Sequence, residues 1–331
     1  MLLAAGVGAV VVVGVVAVAT SIVSRVAFSP EKPVLAYLAA IEEGRAADAL
    51  ELAGITLRDG DGLLLTDEVY AEVADRPTAS RVTSVVRRGK SAAVSVRSEQ
   101  AGGSVSETFQ VRSDGRRMLF FDRWVLHDHP IPELSVLSAL PHEADAFLVD
   151  GVAHSADDGR VLVLPGTYTV ELAPPEGAEG LITSDAIEVT VDAGSWYESV
   201  SHRHVLSYEL TAEGVAAAES ATADFLESTC LSGTERALED CGFTTWPLRA
   251  DEAENTRWAF SGTPTVEVGL DRGAITAEIS GTTRATYEVA ETAYRAGGTA
   301  ERVDDFGFWL RFPAQDGALG APEPSRYGYW D

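Results

Sequence analysis

Residues 81–97 read RVTSVVRRGKSAAVSVR, in which Val82 and Val86 before Arg88-Gly89-Lys90 and Ala92, Val94 and Val96 after it fall on a period of two. A period of two places alternate side chains on opposite faces, the mark of a half-buried strand, and a Gly-containing break between two such runs marks a hairpin. The same alternation continues in Val105 to Val111 and in Met118 to Val125, with Ala101-Gly102-Gly103 and Ser113-Asp114-Gly115 as the next breaks. The reading is an antiparallel meander of four strands. Upstream the period becomes helical: Val34, Tyr37, Leu38 and Ile41 fall at i, i+3, i+4 and i+7, and so do Ala46, Ala49, Leu50 and Ala53. Thr66 offers an N-cap for a third helix, with Asp67 and Glu68 in its dipole-favoured first turn. Helices followed by a curled sheet predict an α+β domain over residues 28–131.

Downstream, residues 132–210 lack a helical period and are dense in turn signals. Ala146 to Val149 and Val152 to His154 flank Asp150-Gly151, the pair a type I′ hairpin favours because both central residues take positive φ. Leu164-Pro165-Gly166-Thr167 suits a type II turn, and Tyr168, Val170 and Leu172 then alternate, as do Ile187, Val189 and Val191. A small β-sandwich is expected. From Thr211 the period is helical again, with Val215, Ala218, Ala221, Phe225 and Leu226 in one stripe. Strands at 257–260, 265–270, 275–279, 286–289 and 302–312 then predict a second helix-plus-antiparallel-sheet domain over 211–331, ending in a loose Gly-, Ala- and Pro-rich tail from Pro313.

Ahead of all this, Leu2 to Val23 is an almost unbroken run of Leu, Ala, Val and Gly with no charge before Arg25. A helix of that length covers roughly the 30 Å core of a bilayer. Ala17-Val18-Ala19 would suit a signal-peptide cleavage site, but the apolar run is longer than such peptides carry and no basic region precedes it. Residues 1–27 therefore read as an uncleaved transmembrane anchor. Arg25 and Lys32 both follow the run, which taken alone favours a cytoplasmic body. Long domains translocate largely regardless of flanking charge, the two cysteines are spaced like a disulfide, and a basic segment ahead of Met1 would reconcile the charges. The expected arrangement is a single-pass plasma-membrane protein with an extracytoplasmic body, and its first partner is the cytoplasmic membrane itself.

The 331 residues carry a formal net charge of -26, and 35 of the 51 acidic side chains lie beyond residue 130. Such a surface repels polyanions, so no nucleic-acid partner is expected. The Arg87-Arg88-Gly89-Lys90 turn is a local basic patch that could meet anionic lipid or wall polymer, with exposed hairpin charge as the plainer account.

Three stretches carry a family resemblance. Residues 34–45, Val34 through Ile41, Glu42 and Glu43 to Gly44-Arg45, followed by Ala49-Leu50, resemble the opening of nuclear-transport-factor-like cone domains of actinobacterial envelope proteins. Phe147-Leu148-Val149-Asp150-Gly151 with Val163 to Val170 is similar to the β-sandwich of TcaA-type membrane proteins, named for teicoplanin resistance. Cys230, the Leu238 to Phe243 stretch and Trp258 resemble the last module of actinobacterial single-pass proteins. The resemblance implies a membrane-tethered chain with tandem extracytoplasmic domains, and it brings no catalytic residue with it.

Chemistry-bearing residues are few. Cys230 and Cys241 enclose about ten residues and suit a disulfide tying a helix end to the next loop, against free thiols or half a metal site. His202 and His204 sit two apart in an alternating run and could offer two imidazoles to one metal, with burial in a core as the rival account. His127 and His129, beside Pro130, read as linker packing. Asp122, Arg123, Trp124 and His127 form a candidate cleft of polar and aromatic groups. Asp59-Gly60-Asp61-Gly62 lacks the rest of a calcium loop, and no phosphate loop, dinucleotide fingerprint, nucleophile elbow or zinc-protease motif occurs. No cofactor is expected. The leading expectation is a non-enzymatic envelope protein presenting binding or sensing domains toward the cell wall, with wall polymer or another envelope protein as partner. The alternatives are an envelope enzyme or metal-binding protein with a His/Asp cleft, and a spacer in a membrane complex.

Overall fold

The computed structural model describes residues 29–58, 62–117, 121–127, 129–141, 144–157, 159–195, 197–199, 205–231, 241, 253–289, 291 and 297–325. The chain is a mixed α+β protein built mostly of antiparallel sheets with few helices. Two compact units form, one from within residues 1–140, 146–171 and 186–205, the other from within 141–145, 172–185 and 206–331. Among the described residues no helix is long and apolar enough to cross a membrane. The run Leu2 to Val23 lies outside them.

The first unit begins with helices α1 (Glu31–Glu42), α2 (Ala46–Ala53) and the single turn α3 (Asp67–Tyr70). The helical spacing is obeyed: Val34, Tyr37, Leu38 and Ile41 of α1 and Ala46, Ala49, Leu50 and Ala53 of α2 are all buried. Thr66 caps α3, its hydroxyl oxygen accepting from the Val69 N–H at 3.3 Å. The meander follows as β1 (Thr78–Arg88), β2 (Ser91–Gln100), β3 (Gly103–Arg117) and β4 (Phe121–Leu126), paired in that order. Along β2, Ala92, Val94, Val96, Ser98 and Gln100 turn inward, as the alternation requires. The strand expected to end before Ser113-Asp114-Gly115 instead runs through it. A bulge between Ser113 and Arg116 absorbs the extra residue, so a turn-like triplet serves as a strand irregularity.

The same unit contains two sandwich-like sheets built from β5 (Glu133–Ser135), β6 (Ala146–Val149), β7 (Val152–Ser155), β8 (Arg160–Leu162), β9 (Gly166–Leu172), β11 (Ala186–Val191) and β12 (Tyr197–Ser199). Their orders are β11-β9-β6-β7 and β12-β5-β8. Phe147, Val149, Tyr168 and Val170 are fully buried, and so are Leu134 and Val163. Asp150 and Gly151 take φ of 48° and 77°, the type I′ geometry their identities predict. Gly166 departs from expectation, because it opens β9 without a positive φ and is not the third residue of a type II turn. It is needed for close approach: a Cβ there would overlap Val73 Cγ1, and beside it the Thr167 N–H donates to the Ala74 carbonyl at 2.9 Å.

In the second unit, β10 (Ile182–Ser184) pairs with β13 (Tyr208–Leu210). Helix α4 (Ala212–Phe225) is capped by the Thr211 hydroxyl, which accepts from Gly214 N–H at 2.9 Å, and continues into a π-helical turn, Leu226–Cys230. Strands β14 (Ala253–Phe260), β15 (Thr265–Asp271), β16 (Ala274–Val289) and β17 (Gly298–Phe312) make the large sheet. The runs 275–279 and 286–289, expected as two strands, are one: β16 pairs with β17 without a break from Ile275 to Val289 and serves β15 and β14 in turn on its other side. The segment from Pro313, expected to be loose, forms the hairpin β18 (Ala314–Gln315) and β19 (Ala318–Leu319), then β20 (Glu323–Ser325), which pairs with β17. Ala218, Leu226, Ile275, Ile279, Phe308, Leu310 and Phe312 fill the core between α4 and the sheet. The expected disulfide is present, Cys230 to Cys241, with Cα atoms 5.6 Å apart and both side chains buried.

Candidate functional site

A cavity of about 680 Å³ opens in the first unit where β7 and β8, edge strands of the two sandwich-like sheets, come together. Three consecutive residues of each strand line it, Ala153 to Ser155 and Arg160 to Leu162, so backbone as well as side chains faces the opening. Glu133, Asp157, Leu63 and Leu137 complete its character. Leu63 and Leu137 are about half exposed, a cost in water that an apolar ligand group would relieve. The Arg160 guanidinium lies 3.5 Å from the Glu133 carboxylate, and both remain partly solvated, so the pair adds little to stability and stays open to exchange partners. Gly159, at φ 53°, lets the loop press against Leu137, and its carbonyl accepts from Val136 N–H at 2.8 Å. That contact holds Leu137 at the cavity wall.

His154 stacks on Phe147 at 5.5 Å between ring centres, and burial pushes its pKa down, so it is neutral at neutral pH. Its Nε2 is buried with no hydrogen-bond partner. Ser155 follows it on the strand and therefore points to the opposite face, which separates hydroxyl from imidazole and makes no nucleophile–base pair. One guanidinium, two carboxylates and a half-exposed apolar wall suit recognition of an amphipathic, charged ligand better than bond making.

A second cluster is closed. His129 enters between Tyr37 of α1 and Phe109 of β3, with ring centres 4.9 and 5.0 Å away. Its Nε2 is 3.0 Å from the Tyr37 hydroxyl, and its Nδ1 is 3.8 Å from a carboxylate oxygen of Glu107. Burial pushes Glu107 up to about 8 and His129 down to about 4, so each favours its neutral form. Burial, then the neighbouring Glu107, raises the Tyr37 phenol. The void beside them is about 10 Å³, room for one water at most. The groups join the helical segment to the sandwich segment, as Gln100 does nearby: its Nε2 donates to the Val191 carbonyl at 2.8 Å and its Oε1 accepts from Ala193 N–H at 3.0 Å, all buried.

Of the candidate cleft residues, Asp122, Arg123 and Trp124 lie along β4 and His127 follows its end. Asp122 is exposed and accepts from the Ser113 hydroxyl at 3.2 Å. Trp124, two residues on and on the same face, is buried, with the Arg87 guanidinium 5.7 Å above its ring. Arg123 and His127 alternate to the other face, Arg123 exposed and the His127 N–H donating to the Gln110 carbonyl at 2.9 Å. None of the four lines the β7–β8 cavity or the void beside His129. His202 and His204 lie outside the described residues, among which no group of three or more His, Cys, Asp or Glu is placed to hold a metal ion. Neither Glu107 nor Gln100 was singled out by sequence reasoning, yet each carried a signal: a polar residue in register with an apolar face, Glu107 with Val105, Phe109 and Val111, Gln100 with Val94 and Val96. Against this geometry, no protein-family model matches the chain and no curated protein matches it.

Proposed function

We propose that this chain is a single-pass, membrane-anchored envelope protein whose extracytoplasmic body binds a partner through the β7–β8 cavity without chemical turnover. The observation that carries the reading is the cavity itself, about 680 Å³, open, and lined by Arg160 and Glu133 on strands and by Asp157 and the half-exposed Leu63 and Leu137 on the turns beside them. The anchor is the apolar run Leu2 to Val23, the helical and meander segment up to residue 131 is a cone-like domain, and the two sheets after it are a sandwich. The Cys230–Cys241 bridge favours an oxidising compartment and hence a body outside the cytoplasm. Sites on rigid elements of this kind display a surface, and the tether sets where it is displayed.

The test has two arms. A reporter fused after Asp331 is expected to be active only outside the membrane. Amide exchange in β7 and β8 of the purified full chain is expected to slow when the envelope fraction of the source cells is added. A reporter active only in the cytoplasm, or exchange that does not change, overturns the reading.

A further inference from the structure

Edge strands expose unpaired backbone and are templates for another strand, so natural sheets defend them with charge, proline or bulges. Among the described sheets of three or more strands, β7 is the edge that lacks all three. β1 carries Arg81, Arg87 and two register shifts, and β4 carries Asp122 and Arg123. β11 has Glu188, β12 Glu198 and β8 Arg160. In the large sheet β14 has Arg257 and a bulge, β15 has Glu267, and β20 has Pro324. β7 reads Val152-Ala153-His154-Ser155, with burial holding His154 neutral.

The ladder says which of its groups are open. A two-residue turn makes Val149 and Val152 a hydrogen-bonded pair, so Phe147 and His154 are the next such pair. Ala153 and Ser155, opposite Leu148 and Ala146, therefore direct their N–H and C=O away from β6, toward the open edge. Both residues also line the cavity.

We infer that β7 is a strand-addition site: an extended, cationic and apolar segment of a partner protein pairs with the outward backbone groups of Ala153 and Ser155 and places its side chains in the cavity against Leu137, Glu133 and Asp157. This rests on the proposed binding role of the same cavity. Main-chain pairing supplies affinity and the cavity supplies selectivity. The choice of occupant follows from size and charge. A second copy would bring its own Ala153 and Ser155, too small to fill about 680 Å³, and two chains of net charge -26 repel each other. A lysine-bearing strand with alternate leucines meets two carboxylates against one guanidinium, with Arg160 on Glu133 and Asp157 left for the lysine, and two half-exposed leucines.

The probe is a short labelled peptide alternating lysine with leucine and valine, titrated by fluorescence anisotropy into the full chain in detergent. Saturable binding is expected, weakened at least tenfold by Ala153→Pro, which removes an outward N–H and leaves the β6 ladder intact. The same peptide, N-methylated at alternate amides on its pairing edge, is expected to lose as much against the unaltered chain, which keeps the test decisive if Ala153→Pro impairs folding. Absence of binding, equal binding of the N-methylated peptide, or β7 protection that instead grows with protein concentration through self-association would each overturn strand addition. Protection of β7 and β8 by the envelope fraction without any response to the peptide overturns strand addition alone and leaves the binding role standing.

Discussion

Glu107 and His129 give the first unit a pH dependence whose shape follows from their burial. Glu107 is raised from 4.5 to about 8 in the folded chain, and His129 is lowered from 6.5 to about 4. Below about 4 both states carry the imidazole proton, and between about 4 and 4.5 only the unfolded chain holds it, so stability rises with pH there. Between about 4.5 and 6.5 the two effects oppose, because the folded Glu107 retains a proton that the unfolded one has lost while the folded His129 lacks one that the unfolded one holds. From about 6.5 to 8 only Glu107 differs, and stability falls as pH rises through its folded value. One proton over roughly 1.5 pH units is worth about 2 kcal/mol. The groups packed around the pair are Tyr37 from α1, Phe109 from β3, and Pro130, Pro132, Pro165, Ala193 and Ser195 around the void; Tyr37 stays protonated throughout this range. Glu107→Gln keeps the shape, removes the titration, and is expected to abolish the fall. The measurement is amide exchange of β2 and β3 in the unaltered and Glu107→Gln chains at pH 6.5 and 8, which reads the first unit separately from the second. The difference between the chains cancels the background repulsion of the acidic surface. An equal fall in both chains would refute the reasoning.

Other expectations concern packing. Gly166→Ala should lower the stability of the first unit by about 1 to 3 kcal/mol through overlap with Val73, and Val73→Ala in the same chain should recover part of it, read by denaturant-dependent exchange of β9. Gln100→Leu should cost about 2 kcal/mol or more, since it leaves the buried Val191 carbonyl and Ala193 N–H without their partners, and should speed exchange at Ala193. Replacing Cys230 and Cys241 by Ser should cost the second unit about 2 to 3 kcal/mol from loop-closure entropy across a separation of 11 residues, seen as an earlier thermal transition of that unit alone.

Periodicity made the local structure legible. The stripes of α1 and α2, the alternation of β2 and β9 and the Asp150-Gly151 turn are each dictated by residues close in sequence, so each could be read directly. What the chain concealed depends on partners far away. Ser113-Asp114-Gly115 has turn composition, but β4 supplies a ladder that makes a bulge cheaper than a reversal. Gly281 interrupts an apolar pattern, yet β17 pairs across it, so one long strand replaces two. Pro165-Gly166 looked like a turn because the sequence does not reveal that Val73 and Ala74 will press on it. The cavity was hidden for the same reason: its lining comes from 63, 133–137 and 153–162, segments that only the sandwich brings together.

The way the chain weaves between its two units constrains how it can be made. Residues 172–185 interrupt the first unit and belong to the second, with Ala178, Leu181 and Ile182 in the same core as Phe308 and Leu310. During N-to-C synthesis those apolar residues emerge early and wait for strands more than a hundred residues later. No single cut yields two intact halves: ending the chain at 205 strands that apolar segment without its core and β10 without its partner β13, and starting at 206 leaves the core without one of its walls. The units are therefore not contiguous stretches of gene: the chain passes between them at five boundaries, after residues 140, 145, 171, 185 and 205, and any recombination that exchanged one unit for another would need a crossover at each rather than a single one.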